Sequence, residues 1–190
     1  MIAARLDPVD PPRPAPPPRP RDRAIPDSDT SPFAVRVAAG QLRFAETELR
    51  FELELEITNT RPQRAEALRP ALALISAHPG QDRDIAAFHG ASAGMAQAEA
   101  FDLAPGAVLR LPVRMVLPRS RIHTVSLRGR PMFVALLMLD LRWRAGLSIR
   151  RSGTDFLIGS AGASDKPGPI WLDRPAPAAL AATAYRPAAL

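Results

Sequence analysis

The most informative segment for the fold is Met132-Phe-Val-Ala-Leu-Leu-Met-Leu-Asp-Leu-Arg-Trp-Arg144. Its first eight residues are apolar, as in a strand buried on both faces, and its second half alternates between polar and apolar side chains. A helix is the alternative for a segment so rich in leucine. However, Gly129-Arg-Pro131 interrupts the chain before it, Ala145-Gly146 interrupts it afterwards, and the polar half has a period of two. The pattern therefore predicts the central strand of a β-sandwich.

A second strand is predicted by the alternating segment Glu48-Leu-Arg-Phe-Glu-Leu-Glu-Leu-Glu-Ile57. Its apolar residues would face a core, and Glu52, Glu54 and Glu56, which we call the Glu ladder, would face outward. Carboxylates on one strand face repel one another, whereas a cross-strand pair of opposite charges contributes roughly 0.2–1 kcal/mol. We therefore expect arginines of later strands beside the Glu ladder, such as those at the outward positions of the alternating segment from Val108 to Leu117.

The rest of the folded region also favours short strands separated by turns. The further predicted strands are Phe33–Val37, Gln41–Ala45 joined through a bend to Thr47–Asn59, Leu68–Ala77, Phe101–Leu103, Ile122–Leu127, Leu147–Arg151 and Thr154–Ile158. The Ala-rich segment 84–99 fits a loop, a short helix or an edge strand. Seven or more strands, with turn residues about every ten positions, predict an all-β fold, an antiparallel immunoglobulin-like β-sandwich. A barrel is the alternative architecture.

Composition divides the chain into three parts. Residues 1–31 contain runs of proline, such as Pro11-Pro-Arg-Pro-Ala-Pro-Pro-Pro-Arg-Pro20, and predict a disordered or polyproline II spacer. Residues 32–159 would form the sandwich. Residues 160–190 predict an irregular tail in which Ile170-Trp171-Leu172 packs on the sandwich as a strap, with at most a short helix around Ala179 to Ala184.

The sequence contains no signal for a membrane span or for secretion. The longest apolar run, Met132 to Leu139, is much shorter than the roughly 20 residues that a spanning helix needs, and Met1 leads directly into charges and prolines. Cysteine is absent, which excludes disulfides and thiolate metal sites. As written, the chain is expected in the cytoplasm, or at the cytoplasmic face of the inner membrane if an upstream anchor exists.

Charge is distributed unevenly along the chain. Residues 32–109 have seven arginines and ten acidic residues, whereas residues 110–190 have thirteen basic and four acidic residues. The later half suggests a face for an anionic partner, the predicted basic face, formed by Arg110, Arg114, Arg119, Arg121, Arg128 and Arg130. An anionic membrane surface would suit such a face. Nucleic acid is disfavoured, because aromatic residues are few and no nucleic-acid-binding signature is present.

Candidate catalytic and metal-binding residues are few. His78, His89 and His123, with Asp82 and Asp84, could form a metal site with two histidines and a carboxylate, but the spacing matches no fixed motif, and ordinary turn or surface histidines are the favoured interpretation. Ser92 lacks the strand-to-helix turn of a nucleophile, and no phosphate-binding loop is present. The Glu ladder lacks a pocket that would raise a carboxyl pKa. We therefore predict no catalytic residue, no cofactor and no metal.

Six short motifs are distributed over the predicted sandwich and the tail. They are Ile57-Thr-Asn-Thr60, His78-Pro-Gly-Gln-Asp82, Leu103-Ala-Pro-Gly106, Gly129-Arg-Pro-Met-Phe133, Phe156-Leu-Ile-Gly159 and Gly168-Pro-Ile-Trp-Leu-Asp173. Together they resemble an uncharacterised alphaproteobacterial family of membrane-tethered proteins. The resemblance covers about residues 33–175 and implies an N-terminal membrane helix, a Pro-rich spacer and a single β-sandwich. The family has no assigned activity.

Three functions are consistent with these features. The first is a non-catalytic interaction module with an unidentified protein partner, held at the inner membrane by an anchor missing from this sequence. The second is a soluble accessory protein whose proline arm is itself a ligand, since Pro14-Ala-Pro-Pro17 fits the PxxP spacing. The third is a soluble binding protein for a small molecule, a carbohydrate or an anionic polymer, which would use the basic face or a loop pocket.

Overall fold

Eleven strands and one short α-helix make up most of the part of the chain that the computed structural model describes, which is residues 31–91, 99–164 and 166–186. In chain order the elements are β1 (Phe33–Phe44), β2 (Glu48–Asn59), β3 (Ala65–Ser76), α1 (Gln81–Gly90), β4 (Phe101–Leu103), β5 (Val108–Pro118), a 3₁₀ helix (Arg119–Arg121), β6 (Val125–Leu127), β7 (Arg130–Phe133), β8 (Ala135–Ala145), β9 (Ser148–Ser160), β10 (Ile170–Trp171) and β11 (Leu180–Tyr185). The predicted Pro-rich spacer, residues 1–31, lies outside the described residues except for Ser31.

The strands form three antiparallel sheets. One sheet has the order β1-β2-β5, the second has the order β11-β9-β8-β3-β4, and a small third sheet has the order β10-β7-β6. The two larger sheets contribute apolar residues to one shared core. The predicted all-β, antiparallel sandwich is therefore confirmed, and its immunoglobulin-like type stays a prediction.

Alternation of side chains along the central strands builds this core. Every inward position predicted in β2, from Leu49 to Ile57, is buried, and so are Leu137, Leu139, Leu141 and Trp143 of β8. The prediction of a central strand is confirmed for β8, which lies between β9 and β3. The preceding residues Met132 and Phe133 belong instead to β7 of the small sheet, because the strand is interrupted at Val134.

Two strand boundaries differ from the predicted ones. The residues from Gln41 to Phe44 do not extend β2; they complete β1, which forms a hairpin with β2 and has a bulge between Val37 and Ala39. The two predicted strands Leu147–Arg151 and Thr154–Ile158 are parts of one strand, β9, which begins at Ser148 after the turn at Leu147. It pairs with β8 without any shift of register, so no bulge is present at Ser152-Gly153.

The helix α1 covers the outer face of the five-stranded sheet. Of the interpretations that the segment 84–99 allowed, a short helix is correct for its first part, and residues 92–98 lie outside the described range. Ile85 is buried against Leu136 and Met138, which project from β8 on the side opposite the main core. Apolar residues on both faces of β8 explain the uninterrupted apolar run in the sequence.

The C-terminal residues complete the fold. Ile170 is fully buried in the main core and Leu172 packs against it. The predicted helix at Ala179–Ala184 is wrong, since these residues form β11, which pairs with β9. Leu180 of β11 packs against the backbone of Gly40 in β1, where an added Cβ would lie 3.0 Å from the Leu180 Cβ. This close packing joins the two large sheets along one side of the sandwich.

The strand β5 is the outer strand of the three-stranded sheet. It contains Pro112 and ends at Pro118. Proline has no N–H to donate, and it is tolerated at an edge position because no neighbouring strand there needs that donor.

Among the described residues, no helix is long and apolar enough to cross a membrane.

Candidate functional site

Arginines lie beside two residues of the Glu ladder, Glu52 and Glu56, as the sequence predicted, whereas Glu54 lies opposite Ala39 and Pro112. Glu56 pairs in register with Arg36 of β1 and Arg110 of β5 and forms ion pairs with both; the Arg110 Nε to Glu56 Oε1 distance is 3.4 Å. Glu52 lies opposite Arg114 in the same register. Because its two partners cover it, Glu56 is buried rather than exposed. This ladder therefore stabilises the sheet through cross-strand charge pairs.

The six residues of the predicted basic face lie on different elements. Arg110 and Arg114 project from one face of β5. Arg119 and Arg121 belong to the 3₁₀ helix, and Arg119 Nε donates a hydrogen bond to the Ala45 carbonyl at 3.0 Å. The remaining two, Arg128 and Arg130, lie in the β6–β7 region, where Arg130 Nε bonds to Asp173 Oδ2 at 2.8 Å. Two of the six, Arg110 and Arg130, are thus already engaged with acids.

The histidines are separated in the structure. His78 Nε2 lies 3.0 Å from Asp84 Oδ2, and its ring centroid is 6.4 Å from that of His123. His89 lies at the end of α1 and contacts β8 and β9 instead. Asp82 accepts a hydrogen bond from the Tyr185 hydroxyl at 2.8 Å. Within the described ranges, no group of three or more His, Asp or Glu residues could hold a metal ion. Ser92 lies outside these ranges.

Asp140 is the centre of a polar network on the outer face of the five-stranded sheet. Only 2% of this residue is exposed, yet it accepts hydrogen bonds from Arg142 Nε at 2.9 Å and from Arg151 Nη2 at 3.2 Å. Its neighbours in register are Ala71 and Gly153, whose small size leaves space above the carboxylate. Asp140 is therefore paired with two cations, as a buried charge requires.

His89 completes the network from the helix side. Its Nε2 lies 2.9 Å from Asp155 Oδ1, and its Nδ1 lies 4.0 Å from Asp140 Oδ1, which is too far for a hydrogen bond and leaves an electrostatic attraction. The imidazole ring rests directly on Gly153, where an added Cβ would be 2.6 Å from its Cε1 atom. Among the described residues, Nδ1 has no hydrogen-bond partner.

The network changes the acidity of its members. Burial disfavours the charged form of His89, but attraction to Asp140 and Asp155 outweighs burial and raises the pKa of His89 from 6.5 to about 9. Burial also opposes ionisation of Asp140, but the interactions with His89, Arg142 and Arg151 outweigh it and lower the pKa of Asp140. At neutral pH both groups are therefore charged, and they attract each other.

This arrangement fastens α1 to the sheet. The Arg142 Nη2 atom donates a hydrogen bond to the Ala91 carbonyl at 2.6 Å, which satisfies a backbone oxygen at the helix C-terminus. Together with the buried Ile85 and the Tyr185–Asp82 bond, the network holds the helix at its start, middle and end. The network pairs three cations with two carboxylates within the fold, and its contacts hold the helix in place.

A cavity of about 440 Å³ lies at one end of the sandwich, between the β2–β3 connection and the β8–β9 hairpin. Four arginines line it, Arg61, Arg64, Arg144 and Arg150, together with the single acidic residue Glu66. We call it the arginine-lined cavity. Phe33 and Trp143 also line it; their rings meet edge to face at 4.9 Å, and both residues are buried. The cavity thus combines a buried aromatic pair with four arginine residues in its lining.

A buried asparagine positions the β2–β3 side of this cavity. The Asn59 side chain donates hydrogen bonds to the carbonyls of Gln63 and Leu103 at 2.8 and 3.0 Å, and its Oδ1 accepts one from the Arg61 backbone N–H at 3.1 Å. These bonds fix the turn that carries Arg61 and Arg64. Such a turn is typical of asparagine, whose side chain bonds to backbone groups two residues away.

The β8–β9 hairpin positions the other side. Ala145 pairs with Ser148, so Gly146 and Leu147 are the two loop residues, and Gly146 has a φ of +62°. A positive φ at the first loop position is typical of a type II′ turn and favours glycine. The tight turn fixes Arg144 and Arg150 on neighbouring strands beside the cavity.

Comparison with known proteins gave no relative: no protein-family model, no curated protein and no solved structure matches the chain. Guanidinium groups can bind carboxylate or phosphate groups, because each planar guanidinium offers paired N–H donors to two oxygens.

Proposed function

We propose that this chain is a non-catalytic interaction module that binds an anionic partner at the arginine-lined cavity. The observation that carries the proposal is the composition of the cavity, which has four arginines and one glutamate together with a buried aromatic pair. Among the described residues, Arg144 is exposed and has no ion-pair partner. An incoming carboxylate or phosphate would therefore find an arginine that folding has not neutralised.

We also propose that the sandwich is of the immunoglobulin-like type. The orders β1-β2-β5 and β3-β8-β9 correspond to strands A, B, E and C, F, G of that fold, with β4 added beside strand C. In this assignment the cavity lies between the B–C and F–G connections. Antibody variable domains bind their ligands through these same connections, which supports a binding role for this end.

Membrane association through an upstream helix, a protein partner and the cytoplasmic location remain proposals too. The predicted basic face is a weaker candidate than the cavity, because its six arginines are distributed over β5, the 3₁₀ helix and the β6–β7 region and do not line one cavity. Ion pairs occur in both sets, at Arg110 and Arg130 and at the cavity residue Arg64, which pairs with Asp102 at 3.5 Å. A small acidic molecule is the second candidate ligand, which the volume of the cavity and the aromatic residues in its lining favour.

Trp143 offers a direct test. The chain has two tryptophans, so the variant Trp171→Phe leaves Trp143, in the lining of the cavity, as the one fluorescent tryptophan. We expect hexaglutamate to change its emission in a saturable manner, more weakly at high salt, and we expect hexaglutamine to have no effect.

Two double variants with equal changes of charge complete the test. Arg64→Glu with Arg144→Glu should abolish the response, because both residues line the cavity. Arg43→Glu with Arg121→Glu should retain it, because these exposed residues lie at the other end of β1 and beyond the other end of β5. An unchanged Trp143 emission, or equal losses in both double variants, would contradict the proposed function.

A further inference from the structure

The β8–β9 hairpin exposes apolar side chains at its end, which we call the hairpin tip (residues 145–149). Leu147 is fully exposed and Ile149 is 76% exposed, and they are the two most exposed large hydrophobic side chains among the described residues. Other exposed hydrophobic residues, such as Val108 and Val116, are about half covered, at 54% and 50% exposure. Two such residues at the end of one hairpin form a candidate contact surface.

The shape of the tip favours one kind of cover. A two-residue loop projects Leu147 away from both strands, and Ile149 follows on the adjoining strand, opposite Arg144. These side chains protrude singly and do not line a groove, so they fit a partner that can be penetrated. The interface of a lipid bilayer is such a partner, since apolar side chains enter it to the depth of the headgroup boundary.

Positive charge surrounds the protruding residues. Arg144 and Arg150 flank the tip on the two strands, and Arg61 and Arg64 lie across the cavity from them. Arginine at a membrane interface keeps its guanidinium beside the headgroups while its aliphatic part remains near apolar groups. The cations would therefore contact anionic headgroups when Leu147 and Ile149 enter the bilayer.

We propose that the anionic partner is a membrane surface, and that the hairpin tip inserts Leu147 and Ile149 into it while the surrounding arginines bind phosphate groups of anionic lipids. This inference rests on the proposed function, because it assigns a partner to the same end of the sandwich. An acidic polypeptide would use the arginines without requiring both apolar side chains, which makes the two partners distinguishable.

The test compares vesicles of phosphatidylcholine alone with vesicles that also contain phosphatidylglycerol, using the full chain in a flotation assay. We expect binding to the anionic vesicles only. Leu147→Ser with Ile149→Ser should weaken that binding by at least about tenfold, without changing net charge. The matched control, Val116→Ser with Val125→Ser, replaces two exposed valines on other strands and should bind like the parent chain.

A second readout reports insertion itself. In the Trp171→Phe background, where Trp143 also emits, Leu147→Trp should add a shift of emission to shorter wavelength with anionic vesicles that the Trp171→Phe parent does not show, and brominated lipid should quench this added emission. Binding that persists undiminished in the double serine variant would overturn insertion. Hexaglutamate binding at the cavity without vesicle binding would overturn the membrane partner and leave the proposed function intact. If neither hexaglutamate nor vesicles bind, both proposals are wrong.

Discussion

Arg142 and Arg144 lie two residues apart on the same face of β8, yet their surroundings are opposite. Arg142 bonds to Asp140 and to the Ala91 carbonyl, and its side chain is 22% exposed. Arg144 is exposed beside the arginine-lined cavity, with Glu66 opposite it in register. The first arginine is neutralised by the fold, whereas the second keeps its charge available. The number of arginines on a strand therefore does not define a binding face, because an arginine that is paired within the fold is not available to a ligand.

The largest difference between the two regions should appear on removal of Asp140. The change Asp140→Asn leaves Arg142 and Arg151 without their buried counter-charge and leaves His89 paired with Asp155 alone. Breaking a buried charge network in this way costs about 3–5 kcal/mol, so we expect a loss of that size in the free energy of unfolding, measured by urea denaturation. The control Asp84→Asn, at an exposed pair with His78, should cost at most about 1 kcal/mol. Equal losses would mean that the network does not hold the fold.

Next in size is the effect of alkaline pH on the network. The pKa of His89 is higher in the folded chain, about 9, than the ordinary value of 6.5, so its contribution is complete below pH 6.5 and is lost as pH rises through about 9. From that difference we expect a loss of at most about 3 kcal/mol in the free energy of unfolding. His89→Gln should flatten this part of the profile. If NMR shows that His89 titrates near pH 6.5, the expectation is contradicted.

The paired variants Arg142→Ala and Arg144→Ala test the comparison directly. Arg142→Ala removes two charge-assisted hydrogen bonds and should cost about 2 kcal/mol, measured from the midpoint of chemical unfolding. Arg144→Ala should change stability by no more than about 0.5 kcal/mol, since its side chain is exposed. For ligand binding at the cavity we expect the opposite order: Arg144→Ala should lower the affinity more than Arg142→Ala. A similar stability loss in both variants would remove the distinction between the two regions.

The smallest expected effect concerns Gly153. The His89 imidazole occupies the space that a Cβ at position 153 would fill. Gly153→Ala should therefore displace the ring and weaken its hydrogen bond to Asp155. We expect a loss of about 1 kcal/mol and a lower pKa of His89, observed by NMR. Gly162→Ala is the control, because nothing lies within 4 Å of the Cβ position there. An unchanged His89 pKa in Gly153→Ala would show that the ring does not depend on this contact.

The strands could be predicted from the sequence because alternation is a local property. The alternate residues Leu49, Phe51, Leu53, Leu55 and Ile57 face the core as predicted, because side chains of a strand point to opposite faces in turn. The strand β11 could not be predicted, because its Ala-rich residues have no clear alternation and become a strand only through pairing with β9. The conformation of this segment therefore depends on its pairing with a distant strand.

The candidate site depended on contacts between distant parts of the chain. His89 and Asp155 are 66 positions apart, and no short-range spacing predicts their contact. One signal was available, since Asp140 interrupts an apolar strand and a charge at such a position requires partners. Arg61 and Arg64 lie in the β2–β3 connection, Arg144 and Arg150 lie on β8 and β9, and their proximity follows only from the order of strands in the sheets. Counting basic residues along the sequence therefore selected a different set.

The prolines of β5 bear on how this protein behaves at high concentration. An outer strand presents unpaired backbone groups to which another molecule can add a strand, which is a common start of aggregation. Pro112 and Pro118 each remove a donor from this strand, and Arg110 and Arg114 place charge along it. On the other side of the sandwich, Leu180 is packed against Gly40 and links the two sheets. Copies of this chain should therefore resist edge-to-edge association at β5, and replacement of both prolines by valine would be the way to produce fibrils.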